Sequence, residues 1–198
     1  MPHIDYYFTP LSPFAYLAGD GLERIAARHG ASVAYKPVNF FAAMEAAGGL
    51  PVPKRHWSRQ EYRLQELPRI AKRAGLPITI HPKQWPTDAG RAMAAILAAE
   101  AAGGGDVGLL CRRLLASCWA EEMDIGDPAV VDAALREAGF DPAMLDFETA
   151  AARVAPLTAE AIERGVFGAP FYIVKETGQK FWGQDRLDFL DDHLAGRI

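Results

Sequence analysis

The stretch FTPLSPFAYLAG, residues 8–19, decides how the chain is read. The segment leading into it, HIDYYF, is short, aromatic and β-branched and stops at Thr9-Pro10, which marks a strand. Residues 13–29 then carry apolar positions at helical spacing, with Pro13 at the first helical position and Gly30 just past the end, so one helix is expected there. A second strand, SVAYKPV, follows the short HGA turn. Strand, helix and strand within roughly 35 residues make a βαβ unit, whose two strands lie parallel in one sheet. Ser12 stands at the corner between the first strand and the helix, either as a plain N-cap or as a chemical participant.

From Asn39 to about Arg164 the pattern is helical, broken by GGLPVP, GLPITIHPKQWP, GGGD and DIGDP, with Asp88 and Asp127 placed to cap the helical segments after them. Strand character returns only at PFYIV and QKFWG, joined by KETG with Gly178 in the turn, which reads as a hairpin. The amphipathic run DRLDFLDDHLAG closes the chain. A βαβ unit joined to ββα gives an α/β fold on the thioredoxin-like plan, a four-stranded mixed sheet with helices on both faces. Residues 1–38 and 165–198 form that domain, and residues 39–164 form a mainly helical insertion domain.

A chain of 198 residues can bury a real core, and half of them are hydrophobic, which leaves little room for extended disorder. The net charge of -4 gives no electrostatic footprint for nucleic acid or anionic lipid, so neither is an expected partner. MPHIDYYFT has no basic or apolar leader pattern, and the apolar run AMAAILAAEAAGGG holds Glu100 and ends in glycines, so a soluble, cytoplasmic protein is expected. Cys111 and Cys118 lie seven apart in a helical pattern, a spacing suited to a buried core and not to zinc or dithiol chemistry; no metal is expected.

On this plan two loops meet at one sheet edge: the Ser12 corner, and RGVFGAPFYIV, where Pro170 opens a strand. Ala169-Pro170 is either a cis bond that turns the Ala169 backbone outward or an ordinary trans entrance to the strand. Redox members of this plan carry Cys-x-x-Cys at the first loop, whereas here the four residues are Ser12-Pro13-Phe14-Ala15, so dithiol chemistry is impossible there. An anion-attracting helix start and a hydroxyl are expected to remain. His3 sits at the start of the strand, and His29, His56, His81 and His193 are distant in sequence, so Ser12 has no base to make it a nucleophile. It can donate a hydrogen bond to another molecule's thiolate, favouring ionisation of a thiol whose free pKa is about 8.5. In FWGQDRLDFL, Gln184 and Asp185 stand at a helix start, either as caps or as partners for a group that carries a carboxylate and an ammonium together.

Taken together, SPFAYLA, CWAEEMDIGDPAV, RGVFGAPFYIV and FWGQDRLDFLDDHL resemble the 2-hydroxychromene-2-carboxylate isomerases and their relatives, the kappa-class glutathione transferases, in the DsbA-like branch of the thioredoxin fold. The resemblance covers essentially the whole chain. It implies glutathione as cofactor, with Ser12 as the catalytic hydrogen-bond donor to its sulfur. It further implies that Ala169 and the cis Pro170 bind the cysteinyl backbone, that the Gly183–Arg186 turn with Gln184 and Asp185 holds the γ-glutamyl end, and that Arg59 is a further contact.

The implied reaction is the cis–trans isomerisation of an aromatic 2-oxo acid in aromatic catabolism, and a homodimer is implied as well. A glutathione transferase or peroxidase, or a binding module without catalysis, would use the same loops. Three positions depart from the family pattern: Gly48-Gly49-Leu50-Pro51 where an Asn is usual, Asp88 in Trp85-Pro86-Thr87-Asp88 where relatives have an amide, and Thr9 where they often have Asp.

Overall fold

Alternation along the first strand builds both layers of the fold. The computed structural model, which describes residues 1–198, has β1 over His3–Phe8, with Ile4, Tyr6 and Phe8 on one sheet face and Asp5 and Tyr7 on the other. Parallel to it runs β2 (Ser32–Pro37), while β3 (Phe171–Val174) and β4 (Lys180–Trp182) add antiparallel on its other side. The order β2-β1-β3-β4 is the mixed four-stranded sheet expected from βαβ joined to ββα. On the first face Tyr6 stacks on Phe8 at 4.4 Å and on Tyr172 of β3 at 5.2 Å, an aromatic column across the central strands.

The single helix expected over residues 13–29 is two helices. α1 (Pro13–Tyr16) stops after one turn and α2 (Gly21–His29) starts afresh, because Gly19 between them takes a left-handed φ of 59° that a continuous helix cannot contain. The helical block follows β2 as α3 (Phe40–Ala46), α4 (Trp57–Ala74), α5 (Gly90–Ala102) and α6 (Val107–Trp119). It continues with α7 (Pro128–Glu137), α8 (Phe147–Ala152) and α9 (Val154–Glu163), and α10 (Leu187–Leu194) ends the chain. Asp127 caps α7 through Ala129 N–H as expected, whereas the N-cap position of α5 is Ala89, and Asp88, one residue before it, accepts only the Gly90 N–H at 2.8 Å.

One buried cluster joins the sheet to this block: Tyr6 and Tyr172 share it with Leu114 and Trp119 of α6 and Leu135 of α7. The alanine-rich α5 packs by small residues, and its Glu100 accepts the Tyr35 N–H of the edge strand at 2.9 Å, holding helix to sheet. Cys111 and Cys118 of α6 lie in this core as expected, and burial pushes the Cys118 thiol up to about 12. On the opposite sheet face Tyr7, Phe171 and Ile173 pack on Ala161 and Val166. There Asp5 pairs with Lys36 (3.0 Å) and Arg164, and Tyr7 donates to Glu160 (2.5 Å). Burial alone would raise the Asp5 carboxyl, but hydrogen bonds and charge from Arg164 and Lys36 outweigh it and hold the group below its ordinary range. No helix is long and apolar enough to cross a membrane.

Candidate active site

Six segments converge on a cavity of about 1120 Å³: the β1–α1 corner, α3, α4 with the loop that precedes it, the Trp85-Pro86 turn, the loop before β3, and the turn after β4. Ser12, Arg59, Ala169, Gln184 and Asp185, separate in sequence, all line it. Pro170, the remaining expected site residue, is buried just behind the lining, where its carbonyl accepts Gly183 N–H at 2.9 Å and so ties the β4 turn to the loop before β3. The Ala169-Pro170 bond is cis, and a second cis bond, for which the sequence gives no expectation, stands at Trp85-Pro86 in the same cavity.

Ser12 is only 7% exposed, and its hydroxyl does two things at once. Its oxygen accepts Ala15 N–H at 3.2 Å, so it is an N-cap, and its proton is directed to the Ala169 carbonyl at 3.3 Å. This cross-link fixes the two sheet-edge loops to each other. The strong helix dipole expected behind Ser12 is absent, because α1 is one turn long, Pro13 has no N–H, and the Ala15 N–H is taken by the cap. Trp85 closes the corner from the other side: its indole Nε1–H donates to the Leu11 carbonyl at 3.2 Å, one residue before Ser12.

At the far end, Gly183 takes a φ of 111°, and a Cβ there would lie 2.5 Å from Asp185 Oδ1. The turn is therefore shaped around the Asp185 carboxylate, which Arg186 Nη1 meets at 2.7 Å. Gln184, Asp185 and Arg186 together offer an amide, a negative charge and a positive charge within three residues, the complement of an amino-acid end.

The structure shows what two of the three departures from the family pattern do. Gly49 closes tightly on α3: its N–H donates to Met44 O at 2.8 Å, and a Cβ would lie 2.4 Å from Met44 Cγ, so no side chain fits. Asp88 serves the start of α5 and does not line the cavity, whereas Trp85, Pro86 and Thr9 do. Two cavity residues, Arg55 and Arg63, are absent from the set expected from sequence. With Arg59 they repeat every four residues in RHWSRQEYR, which places them on one side of α4 and its approach, and that spacing was the available signal.

Comparison with known proteins places the chain in a family. The family model of the DSBA-like thioredoxin domain matches residues 3–195. A 2-hydroxychromene-2-carboxylate isomerase of Sphingobium xenophagum is 30% identical over 196 residues, covering 96% of this chain and 97% of the relative. A protein of the same name from Pseudomonas putida is 28% identical over 200 residues, covering 98% and 95%. A solved structure of a 2-hydroxychromene-2-carboxylate isomerase superposes with a TM-score of 0.77 at 25% identity, covering 98% of this chain and 95% of that one. By sequence over its whole length and by fold, the chain belongs to the DSBA-like thioredoxin-domain family, among the 2-hydroxychromene-2-carboxylate isomerases, and is an isomerase.

Proposed function

We propose that the chain is a glutathione-dependent cis–trans isomerase that interconverts 2-hydroxychromene-2-carboxylate and trans-o-hydroxybenzylidenepyruvate. The observation that carries this reading is the buried Ser12 hydroxyl at the edge of a large cavity whose lining contains no cysteine. Both cysteines are in the core of α6, so any thiol at this corner must come from outside the chain.

The residues present fit glutathione. The Gly183 turn makes a cradle around Asp185 that a side chain would fill, Gln184 and Arg186 flank it, and the Ala169 backbone lies between that turn and Ser12. In this reading Asp185 pairs with the α-ammonium, exchanging part of its contact with Arg186, and Arg186 is left to the α-carboxylate. Ala169 offers its main chain to the cysteinyl residue, and Arg59 meets a carboxylate of the tripeptide. When bound, glutathione supplies a thiolate that adds reversibly to the conjugated double bond, so that the bond is single while it rotates and nothing is consumed.

The task of Ser12 is to keep that sulfur ionised. Its proton turns from the neutral Ala169 carbonyl to the thiolate, and a charge-assisted hydrogen bond is about twice as strong as the neutral one it replaces. Trp85 donates to the Leu11 carbonyl and so supports the backbone just before Ser12. A cavity of about 1120 Å³ exceeds the usual range for one small ligand, roughly 300–1,000 Å³, and leaves room for the aromatic acid beside the tripeptide. The direct test is to follow isomerisation of the chromene acid with and without added glutathione. Turnover that requires glutathione supports the reading, and an equal rate without it refutes it.

A further inference from the structure

The charges lining the cavity do not balance. Two carboxylates reach the lining, Glu66 and Asp185, and each has an arginine partner outside α4's row: Arg69 at 3.2 Å and Arg186 at 2.7 Å. That leaves Arg55, Arg59 and Arg63 along one wall with no carboxylate paired to any of them. Arg55 and Arg63 are partly buried, and the structure gives them no anion. Arg55 is oriented by its own loop, with Nε donating to the Leu50 carbonyl at 2.7 Å and Nη2 against Met44 Sδ at 3.4 Å.

Burial pushes both guanidinium groups below their ordinary values. The neighbouring charge adds to this, Arg59 acting on Arg55 and Arg55 acting on Arg63. Like charges gathered in a partly dry wall without a counter-ion are costly unless a ligand brings one.

The surroundings say which ligand. Phe41, Leu50 and Tyr62 line the cavity in the same segments and are substantially exposed, at 46%, 50% and 59%. This wall is cationic and apolar, and its one acid, Glu66, is already paired with Arg69. The Gly183–Arg186 end, by contrast, offers both signs of charge and suits an amino-acid terminus. The loop that would carry an Asn side chain in relatives cannot do so here, since Gly49 is closed against Met44, and Arg55 instead reaches across that loop.

We infer that Arg55 and Arg63 form a carboxylate clamp for the second reactant, an aryl 2-oxo acid, and set the specificity of the cavity for acids over neutral acceptors. The inference rests on the aromatic 2-oxo acid substrate proposed for this site. The carboxylate bridges the two guanidinium groups, and the aryl group lies against the apolar residues of the same wall. Two charge-assisted contacts discriminate an acid from its ester by about tenfold to a hundredfold.

The test compares trans-o-hydroxybenzylidenepyruvate with its methyl ester as substrates for the wild type, Arg63→Met and Arg63→Lys, with Arg55→Met as a second site. The expected result is that Arg63→Met raises KM for the acid by about tenfold or more. KM for the ester and for glutathione should stay within about twofold, and Arg63→Lys should recover part of the loss. Equal changes for acid and ester would overturn the clamp. So would a rise confined to glutathione, which would give these arginines to the tripeptide.

Should the wild type show no glutathione-dependent turnover, the proposed function fails, and quenching of tryptophan fluorescence by acid and ester still decides the clamp. Tighter binding of the acid, lost in Arg63→Met, upholds it; equal binding of acid and ester by the wild type contradicts it.

Discussion

Two walls face each other across the cavity, and they are held in opposite ways. The sheet-edge wall is buried and cross-linked: Ser12 and Ala169 are 7% and 9% exposed, Ser12 bridges the two loops, and the Gly183 turn is fastened to Pro170. The α4 wall is exposed, with only Leu67 and Ala71 of its helix buried, and it runs through Pro68, which removes one intrahelical hydrogen bond. On the proposed function, the cross-linked wall, whose charges are the mutually paired Asp185 and Arg186, is where the sulfur is placed. The other is more exposed and carries three arginines with no paired carboxylate, and on the same reading it admits the second reactant. On that reading the chemistry belongs to the sheet edge and selection among substrates to the helix.

The sharpest way to break this division is Ser12→Ala. Loss of a donor to a developing or stored negative charge costs about 10²–10³-fold in rate, so kcat for isomerisation should fall by that factor. Loss of the cap should lower stability by only about 1 kcal/mol, measured by urea unfolding. If activity and stability fell in proportion, Ser12 would be a structural residue and the division would not hold.

A second change strikes the rigid wall from behind. Asp5 lies on the reverse face of β1, and its pairing with Arg164 and Lys36 clamps the strand that carries the corner. Its carboxyl is held below the ordinary Asp value, so its ionised form stabilises the fold at neutral pH, and that contribution is lost as pH falls through the lowered value. Asp5→Asn should cost about 2 kcal/mol at pH 7 and flatten the loss of stability in acid below about pH 4. Chemical denaturation at several pH values measures both.

Smaller again is Trp85→Phe, which removes the indole N–H from the Leu11 carbonyl and keeps most of the ring. Stability should drop by about 1 kcal/mol, and kcat by a few-fold with KM for the acid unchanged. The least effect belongs to the cysteines. With the Cys118 thiol pushed up to about 12 and Cys111 raised as well, both buried, neither should react with a thiol reagent in the native protein at pH 7. Rapid labelling in native conditions would put a thiol of the chain back in contention for the site.

Much of the rigid wall was legible in the sequence. The strand before Thr9, the Pro170 entrance and the GQDR turn each carry a local signal, and topology alone brings them to one edge. The break between α1 and α2 was not legible, because the apolar spacing runs through it and only the backbone shows Gly19 in the left-handed region. The cis bond at Trp85-Pro86 leaves no mark in sequence, since most X-Pro bonds are trans and context decides the exceptions. The arginine wall was half legible: the four-residue spacing of Arg55, Arg59 and Arg63 is written in the chain, but an amphipathic helix does not say whether its charged side faces solvent or a cavity.

The proposed function requires the sheet edge to keep a borrowed thiol ionised through Ser12. The most direct measurement is the ultraviolet absorbance of the thiolate of glutathione bound to the protein, titrated with pH in the wild type and in Ser12→Ala. A thiol pKa at least one unit below the free value of about 8.5 is expected in the wild type, returning towards that value in the variant. An unshifted pKa in the wild type, or the same depressed pKa in Ser12→Ala, would contradict it.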